Sequence, residues 1–169
     1  MNSLRTCIVT SDSLRRDIYR LRYEVYTKEL GSFSDADFSE KLESDVYDEY
    51  AIHIAVLSNE TLAGTLRLVL DSPHGFVMEP EFTLPSWMDR TKVVEHSRGI
   101  ICTPYRGLGV YTLLLECAYQ WQREHGKPIC IGAPNTDKLA GILQEKGWLP
   151  FGEVTSYHGI SVIPMYHAL

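Results

Sequence analysis

The chemically most informative part of the sequence is residues 93–111, an apolar run that leads through a glycine-containing turn into a helical pattern. The turn is Arg106-Gly107-Leu108-Gly109, and Pro104 precedes it. Glycine lets the backbone approach a ligand closely. The first N–H groups of a helix have no partner within the helix and carry partial positive charge. A strand, a glycine turn and a helix start in this order predict a binding site for a pyrophosphate group.

Periodic apolar residues predict the elements that must position this turn. Ser11 and Asp12 begin a helix that ends at Gly31, and a second long helix follows Gly109 and stops at Gly126. A third helix covers residues 136–146, with Gly147 just past its end. The predicted strands are Ala51–Leu57, Leu62–Leu70, Lys92–Cys102, Ile129–Ala133 and a final hairpin of Leu149–Tyr157 with Ile160–His167 around His158-Gly159. This order predicts an α/β domain around one mixed sheet, with a parallel crossover between Lys92 and Ala133.

Composition and charge narrow the functional class. The 169 residues suit one domain, 1–169, and carry a formal net charge of −6, the wrong sign for a non-specific nucleic-acid binder. No run approaches the ~20 apolar residues of a membrane span, and the first fourteen residues lack the apolar core of a secretory signal. The four cysteines show no C-x-x-C spacing, and the six histidines show no metal-ligand spacing. We therefore expect a cytoplasmic protein without a metal site, a nucleic-acid partner or a membrane span.

The turn also resembles that of a known superfamily. Pro104-x-Arg106-Gly107-x-Gly109 is similar to the coenzyme A-binding turn of the GNAT acyltransferases, R/Q-x-x-G-x-G/A, and Asn135 with Gly147-Trp148 is similar to their later Asn…Gly-Phe pattern. The resemblance implies a mixed, mostly antiparallel sheet of about six to seven strands flanked by helices. It also implies an acyl thioester, on coenzyme A or acyl carrier protein, bound at the crossover. The residues that it assigns to this donor are Ile100, Ile101, Cys102, Arg106, Gly107, Leu108, Gly109, Val110, Tyr111 and Asn135.

Two positions depart from the superfamily pattern. Tyr111 stands where glycine or alanine is usual, and Leu143 stands where many members carry a tyrosine general acid. Cys102, beside the expected thioester, is interpreted as a packing residue rather than a nucleophile.

Four short motifs resemble a narrower group, the acyl-homoserine-lactone synthases and N-acyl amino acid synthases. They are Arg22-x-x-x-Tyr26, Asp45-x-x-Asp48, Gly64-Thr65-Leu66-Arg67 and Glu95-x-Ser97-Arg98, in that order. The resemblance implies that Glu95 and Arg98 are catalytic and that the acceptor is bound by Arg22, Tyr26, Asp45, Asp48, Arg67 and Ser97. The lactone synthases carry a tryptophan about ten residues after the first arginine, where this chain has Ser32-Phe33. An acceptor other than S-adenosylmethionine is therefore favoured.

These residue types suit acyl transfer to an amine. The ammonium must lose a proton, and Glu95 is the expected base, acting directly or through water. Arginines and acids together match the carboxylate and ammonium of an amino acid, although an interior Arg–Asp network can also be purely structural. Residues three apart on a regular strand face opposite sides, so Glu95 and Arg98 meet only if a bulge lies near Ser97–Gly99. The acidic stretch 32–49 is either a solvated loop or, at its end, an ordered lid over the acceptor.

Three functions follow from these observations. The favoured one is an N-acyltransferase that moves an acyl group from acyl-CoA or acyl carrier protein to a small amine. The second is a homoserine-lactone synthase that uses S-adenosylmethionine. The third is a non-catalytic module that binds acyl-CoA, which the departures at Tyr111 and Leu143 would suit.

Overall fold

The protein is represented by a computed structural model that describes residues 3–135, 138–157 and 159–169. Its helices are α1 (Asp12–Tyr23), α2 (Val110–Glu124) and α3 (Lys138–Glu145), and a π-helical segment (Glu24–Glu29) continues α1. Its strands are β1 (Leu4–Ile8), β2 (Ala51–Ser58), β3 (Thr61–Val69), β4 (Val93–Ile101), β5 (Ile129–Gly132), β6 (Leu149–Pro150), β7 (Thr155–Tyr157), β8 (Ile160–Val162) and β9 (Met165–Ala168).

A seven-stranded sheet forms the centre of the fold, in the order β1-β2-β3-β4-β5-β9-β6. Every pairing in it is antiparallel except β4 with β5, which are parallel and connected through α2. The predicted α/β class, with a mixed, mostly antiparallel sheet and a parallel crossover, is confirmed.

The two faces of the sheet carry separate apolar clusters, because successive strand residues point to opposite sides. Val94 of β4 packs with Leu114 and Ala118 of α2 and with Leu143 of α3. Its neighbour Val93 packs on the other face, in a cluster formed mainly by the segment between β3 and β4 and by β8. Consecutive β4 side chains are therefore sorted between the α2 face and the opposite face.

The predicted C-terminal hairpin is confirmed in its pairing, since β6 pairs with β9 and β7 with β8, but it is divided between two sheets. β7 and β8 form a separate two-stranded sheet, whereas β6 and β9 pair in the main sheet. Pro150 ends β6 and Pro164 separates β8 from β9, and proline has no N–H with which to continue a ladder. The predicted turn residue His158 and the first residue of the predicted third helix, Thr136, lie outside the described residues.

The sequence prediction also missed β1 and simplified the first helix. β1 is a five-residue edge strand with two exposed residues, so it lacks a long apolar run. From Glu24 onward the first helix has π-type hydrogen bonds, which span five residues. One of them runs from Leu30 N to Val25 O at 2.9 Å. Gly31, with φ of 64°, follows the helical stretch, close to the predicted end.

Candidate active site

A cleft opens where β4 and β5 separate. The two strands pair only from Val93 to Glu95 on β4, while β4 continues to Ile101. A cavity of about 290 Å³ lies at this fork and is lined from both faces of the sheet. Glu95 and His96, which point to opposite faces, both line it. The cleft therefore gives two reactants access to the same point from two sides.

The predicted bulge is present and sits in β4. Thr65 pairs with Ile100, but Arg67 pairs with Ser97, so Leu66 alone faces Arg98 and Gly99. Arg98 has φ of 52°, in the left-handed region that a side chain rarely adopts. This bulge turns Arg98 toward the cavity, which Glu95 and Ser97 also line.

Glu95 is a buried carboxylate held at the fork. The backbone N–H groups of Val77 and Met78 donate to it, the first at 2.5 Å. Burial raises the pKa of Glu95 to about 7, although Arg67, these N–H groups and Arg98 act in the opposite direction. A carboxylate with such a pKa can both accept and release a proton near neutrality.

Three arginines and three acids beside the cavity form a closed ring of contacts. Around the ring the order is Arg22, Glu43, Arg98, Asp45, Arg67, Asp48 and back to Arg22. All six pairs lie within 3.3 Å, and the formal charges balance. Burial would raise the pKa of Asp48, but Arg22 and Arg67 lower it to about 2, so this carboxylate stays ionised. The ring fixes the end of the acidic stretch against α1 and β4.

Local structure explains the Asp45-x-x-Asp48 spacing. Asp45 Oδ1 accepts from Tyr47 N at 3.0 Å, and Asp48 Oδ2 accepts from Asp45 N at 2.8 Å. This reciprocal cap begins a short 3₁₀ helix, Val46–Tyr50. The same two carboxylates therefore serve both the backbone turn and the arginines.

Two rings hold the guanidinium of Arg98. Tyr26, on the π-helical segment, and Phe33 each place a ring centroid 5.2 Å from its central carbon. Arg67, in turn, donates from Nε to Ser97 Oγ at 2.9 Å. The predicted acceptor residues are thus brought together. Tyr26 and Ser97 line the cavity beside Arg98, which was predicted to be catalytic, and the others lie behind this wall: Arg22, Asp45, Asp48 and Arg67.

Arg67 has unused hydrogen-bonding capacity. Its side chain is buried, and its Nη2 has no partner among the described residues. A buried donor without a partner costs free energy unless a ligand or water satisfies it.

The predicted donor residues fall into two groups. Tyr111 and Asn135 line the cavity, whereas Arg106, Gly107, Leu108 and Gly109 lie exposed at the start of α2. Gly107 and Gly109 have φ of 81° and 78°, and no side chain caps the helix at Gly109. The first N–H groups of α2 therefore point out of an open turn.

Several predicted donor residues are engaged elsewhere. Arg106 pairs with Glu29 at 2.7 Å and donates from Nε to Ile101 O at 3.2 Å. Val110 and Ile100 are buried. Cys102 Sγ donates to Leu62 O at 3.2 Å, and burial raises the pKa of its thiol, which agrees with a packing role.

The two departures from the expected pattern have structural counterparts. The Tyr111 ring lies against Gly99 in the bulge, where a Cβ would stand 3.5 Å from Tyr111 Cε2. Gly99 thus leaves room for a ring that points into the cleft. Leu143 is buried and lines the cavity with an apolar side chain.

Sequence reasoning missed Glu43 and His96. Glu43 pairs with two arginines of the ring, Arg22 and Arg98. Nothing in the sequence distinguishes it from the other acids of the stretch 32–49, because both contacts join residues that are far apart in the chain. His96 Nε2 and Gln122 Oε1 lie 2.6 Å apart, and Gln122 Nε2 donates to Lys127 O and Ile129 O. Gln122 Oε1 must therefore accept from Nε2–H of His96, and burial lowers the pKa of that imidazole to about 4.

No group of three or more His, Cys, Asp or Glu side chains in residues 3–135, 138–157 and 159–169 is arranged to hold a metal ion. Among the described helices, none has the length and apolar character needed to cross a bilayer.

One known protein family matches this chain. The acetyltransferase (GNAT) domain family matches residues 21–116, more than half of the chain. A comparison with curated proteins finds no match.

Solved structures share the fold at low sequence identity. FeeM, an N-acyl amino acid synthase from uncultured soil microbes, is 14% identical with a TM-score of 0.76, over 98% of this chain and 91% of its own. BjaI, a CoA-dependent acyl-homoserine lactone synthase solved with SAM and isopentyl-CoA, is 18% identical with a TM-score of 0.76, over 96% and 81%. An acyl-CoA N-acyltransferase from Pseudomonas aeruginosa is 20% identical with a TM-score of 0.70, over 98% and 100%.

Proposed function

Because this chain belongs to the GNAT acetyltransferase family and is an acyltransferase, we propose that it transfers an acyl group from an acyl thioester to the amine of a small acceptor, such as an amino acid. The observation that carries this proposal is Glu95, a buried carboxylate at the fork of β4 and β5 with a pKa of about 7. Its environment suits a general base that works near neutral pH.

The donor side of the cleft starts at the first turn of α2. The open glycine turn at Gly107 and Gly109 suits the pyrophosphate of coenzyme A. From there Tyr111 and Asn135 lead into the cavity at the fork. Beyond Glu95, β4 has no β5 partner, so its backbone groups on that side are available to the donor.

Surface charge favours coenzyme A over acyl carrier protein. An acidic carrier protein prefers a basic docking patch, and the one basic cluster in the sequence is Arg15, Arg16 and Arg20. Each of these arginines pairs with a neighbouring acid, Asp12, Glu40 and Asp17 respectively. The cluster therefore offers little net charge to an acidic partner.

The acceptor side is the polar wall formed by Ser97 and Arg98. The ring of arginines and acids is balanced within itself, so it adds no net charge to the acceptor. Arg67 nevertheless has a buried Nη2 without a partner among the described residues. Because Arg67 lies behind the cavity wall, a carboxylate on the acceptor would pair with Arg98, which lines the cavity, and this favours an amino acid.

The reaction needs no covalent intermediate on the protein. Glu95 takes a proton from the acceptor ammonium, and the free amine attacks the thioester carbonyl carbon. The C–N bond forms, the tetrahedral oxyanion collapses and the C–S bond breaks. The attacking nitrogen gives up its second proton, directly or through water, to the leaving thiolate, which departs as the thiol, and Glu95 releases the first proton to solvent. Each positioned group of this kind contributes on the order of 10²-fold or more to the rate.

The test is thiol release combined with mass spectrometry of the products. The purified protein is given acetyl-CoA, octanoyl-CoA or octanoyl acyl carrier protein, each with pooled amino acids and, separately, with S-adenosylmethionine. We expect an N-acyl amino acid and free coenzyme A. Release of methylthioadenosine would instead identify a homoserine-lactone synthase. Donor binding without thiol release in any mixture would overturn the proposal in favour of a non-catalytic acyl-CoA-binding module.

A further inference from the structure

On the Glu95 face of β4, the cavity at the fork has a polar wall on one side of Glu95 and an apolar wall on the other, while Leu66, Leu143 and Trp148 line it from the α2 face. Ser97 and Arg98 form the polar side. The apolar side starts at Val77 and Met78, whose backbone N–H groups hold the Glu95 carboxylate, and continues through Phe82 to Val162. The carboxylate thus stands at the boundary between the two halves.

The cavity as a whole is larger than an acetyl group requires. An acetyl group adds a single methyl beyond its carbonyl. If a water-sized group occupies about 30 Å³, the cavity of about 290 Å³ has room for about ten such groups. Part of that room belongs to the thioester and the acceptor, and the remainder is lined by apolar side chains.

A small hairpin closes the far end. β7 and β8 stand apart from the main sheet, and their residues Tyr157, Ile160 and Val162 line the cavity. An isolated bridge between Val162 and Asn135 and a hydrogen bond from Ile163 N to Pro134 O at 3.2 Å attach the hairpin beside the end of β5. Val162 is buried in the same apolar cluster as Phe82, so the wall from Val77 to β8 is continuous.

On this basis, and resting on the proposed acyl transfer, we propose that the apolar half of the cavity binds the chain of a medium-length acyl group, with Phe82 and Ile160 determining its length. Because about ten groups of about 30 Å³ fill the whole cavity, with the thioester and the acceptor included, the chain has fewer than ten carbons, on the order of six to eight. The acyl carbonyl lies beside Glu95, and the chain runs along Val77 and Phe82 toward β8.

The test measures donor binding without turnover. S-alkyl-CoA thioethers, from ethyl to hexadecyl, cannot transfer their chain, and calorimetry gives their affinity for the purified protein. We expect the affinity to rise about fourfold per methylene, equivalent to about 0.8 kcal/mol, and to stop rising between about six and eight carbons.

Two substitutions change the volume of the cavity in opposite directions. Ile160→Trp fills the cavity and should shift the plateau to shorter chains, whereas Phe82→Ala enlarges it and should shift the plateau to longer ones. Val154→Trp is the matched control, because Val154 is 54% exposed and does not line the cavity. It should leave the profile unchanged. If either cavity variant does not fold, the other still tests the assignment.

Two results would overturn the inference. One is an ethyl thioether bound as tightly as the octyl thioether by the unmodified protein. The other is the same length profile in both cavity variants and the control. Neither result bears on thiol release from acetyl-CoA, so failure of this inference is distinguishable from failure of the proposed acyl transfer.

Discussion

Glu95 is a carboxylate whose neutral form the fold stabilises. Its folded pKa of about 7 lies well above its ordinary value of 4.5, mainly because it is buried. Two backbone N–H groups and the nearby Arg67 limit the shift without abolishing it. The site thereby keeps a base that is ionised in a substantial fraction of molecules at neutral pH and that remains basic enough to take a proton from an ammonium.

Replacement of Glu95 should slow the chemical step without changing the binding of the donor. In the unmodified protein, kcat/KM should rise with pH with a midpoint near 7, because Glu95 must lose its proton to act as a base. Glu95→Gln should lower kcat by about 100-fold or more, remove that pH dependence and leave thioether affinity unchanged. Glu81→Gln is the control, since Glu81 lines the same cavity at an exposed position. A fully active Glu95→Gln protein would refute the assignment of the base.

The glycine turn and the start of α2 together form the proposed pyrophosphate site. Gly109 has φ of 78° and precedes the first turn of the helix, and the space where a Cβ would stand is open. A side chain there meets no neighbour, so its cost is the strain of the left-handed backbone. Relief of that strain would move the N–H groups that face the proposed pyrophosphate site.

A pair of alanine substitutions isolates that backbone effect. Gly109→Ala should lower the free energy of unfolding by about 1 kcal/mol and weaken coenzyme A binding. Gly141→Ala, in the middle of α3 with open space around it, should instead stabilise the protein by about 0.5–1 kcal/mol. Urea denaturation and calorimetric titration with coenzyme A measure both effects. Unchanged coenzyme A affinity in Gly109→Ala would argue against phosphate binding at this turn.

At the scale of the whole molecule, buried titratable groups make stability depend on pH. Burial lowers the pKa of His53 and of His96 from 6.5 to about 4, so both are neutral in the folded state. Their contribution is complete above about pH 6.5 and is lost as the pH falls toward 4, because only the unfolded chain takes up the protons. Glu95 has the opposite sign: its contribution is complete below about pH 4.5 and is lost as the pH rises through 7.

The balance of these groups predicts the pH profile of unfolding. Two histidines outweigh one carboxylate, so acidification from about pH 7 to about pH 5 should cost the unmodified protein about 2 kcal/mol. Glu95→Gln lacks the opposing group and should lose about 4 kcal/mol over the same interval. Urea unfolding at several pH values, followed by tryptophan fluorescence, measures both slopes. Equal slopes would mean that Glu95 is not held neutral by the fold.

The elements around the site could be predicted from the sequence, because they depend on local signals. Apolar periodicity and glycine positions predicted β2 to β5, α2 and the turn before it to within a few residues. The need for a bulge between Glu95 and Arg98 was also readable, since strand geometry fixes which way each side chain points. The short β1 was not predicted, because an edge strand of five residues carries little periodic signal. The C-terminal hairpin was predicted in its pairing but not in its division between the main sheet and a separate two-stranded sheet.

The pairing of the buried charges and the lining of the cavity depend on tertiary contacts and could not be predicted from the sequence. Asp45 and Asp48 follow a local capping pattern, but Glu43 joins the ring through contacts with residues 21 and 55 positions away. The pKa of Glu95 depends on burial by a segment that begins eighteen residues earlier. The apolar wall likewise combines that segment with β8, near the end of the chain. Such properties arise from distances between remote residues, which local sequence patterns do not encode.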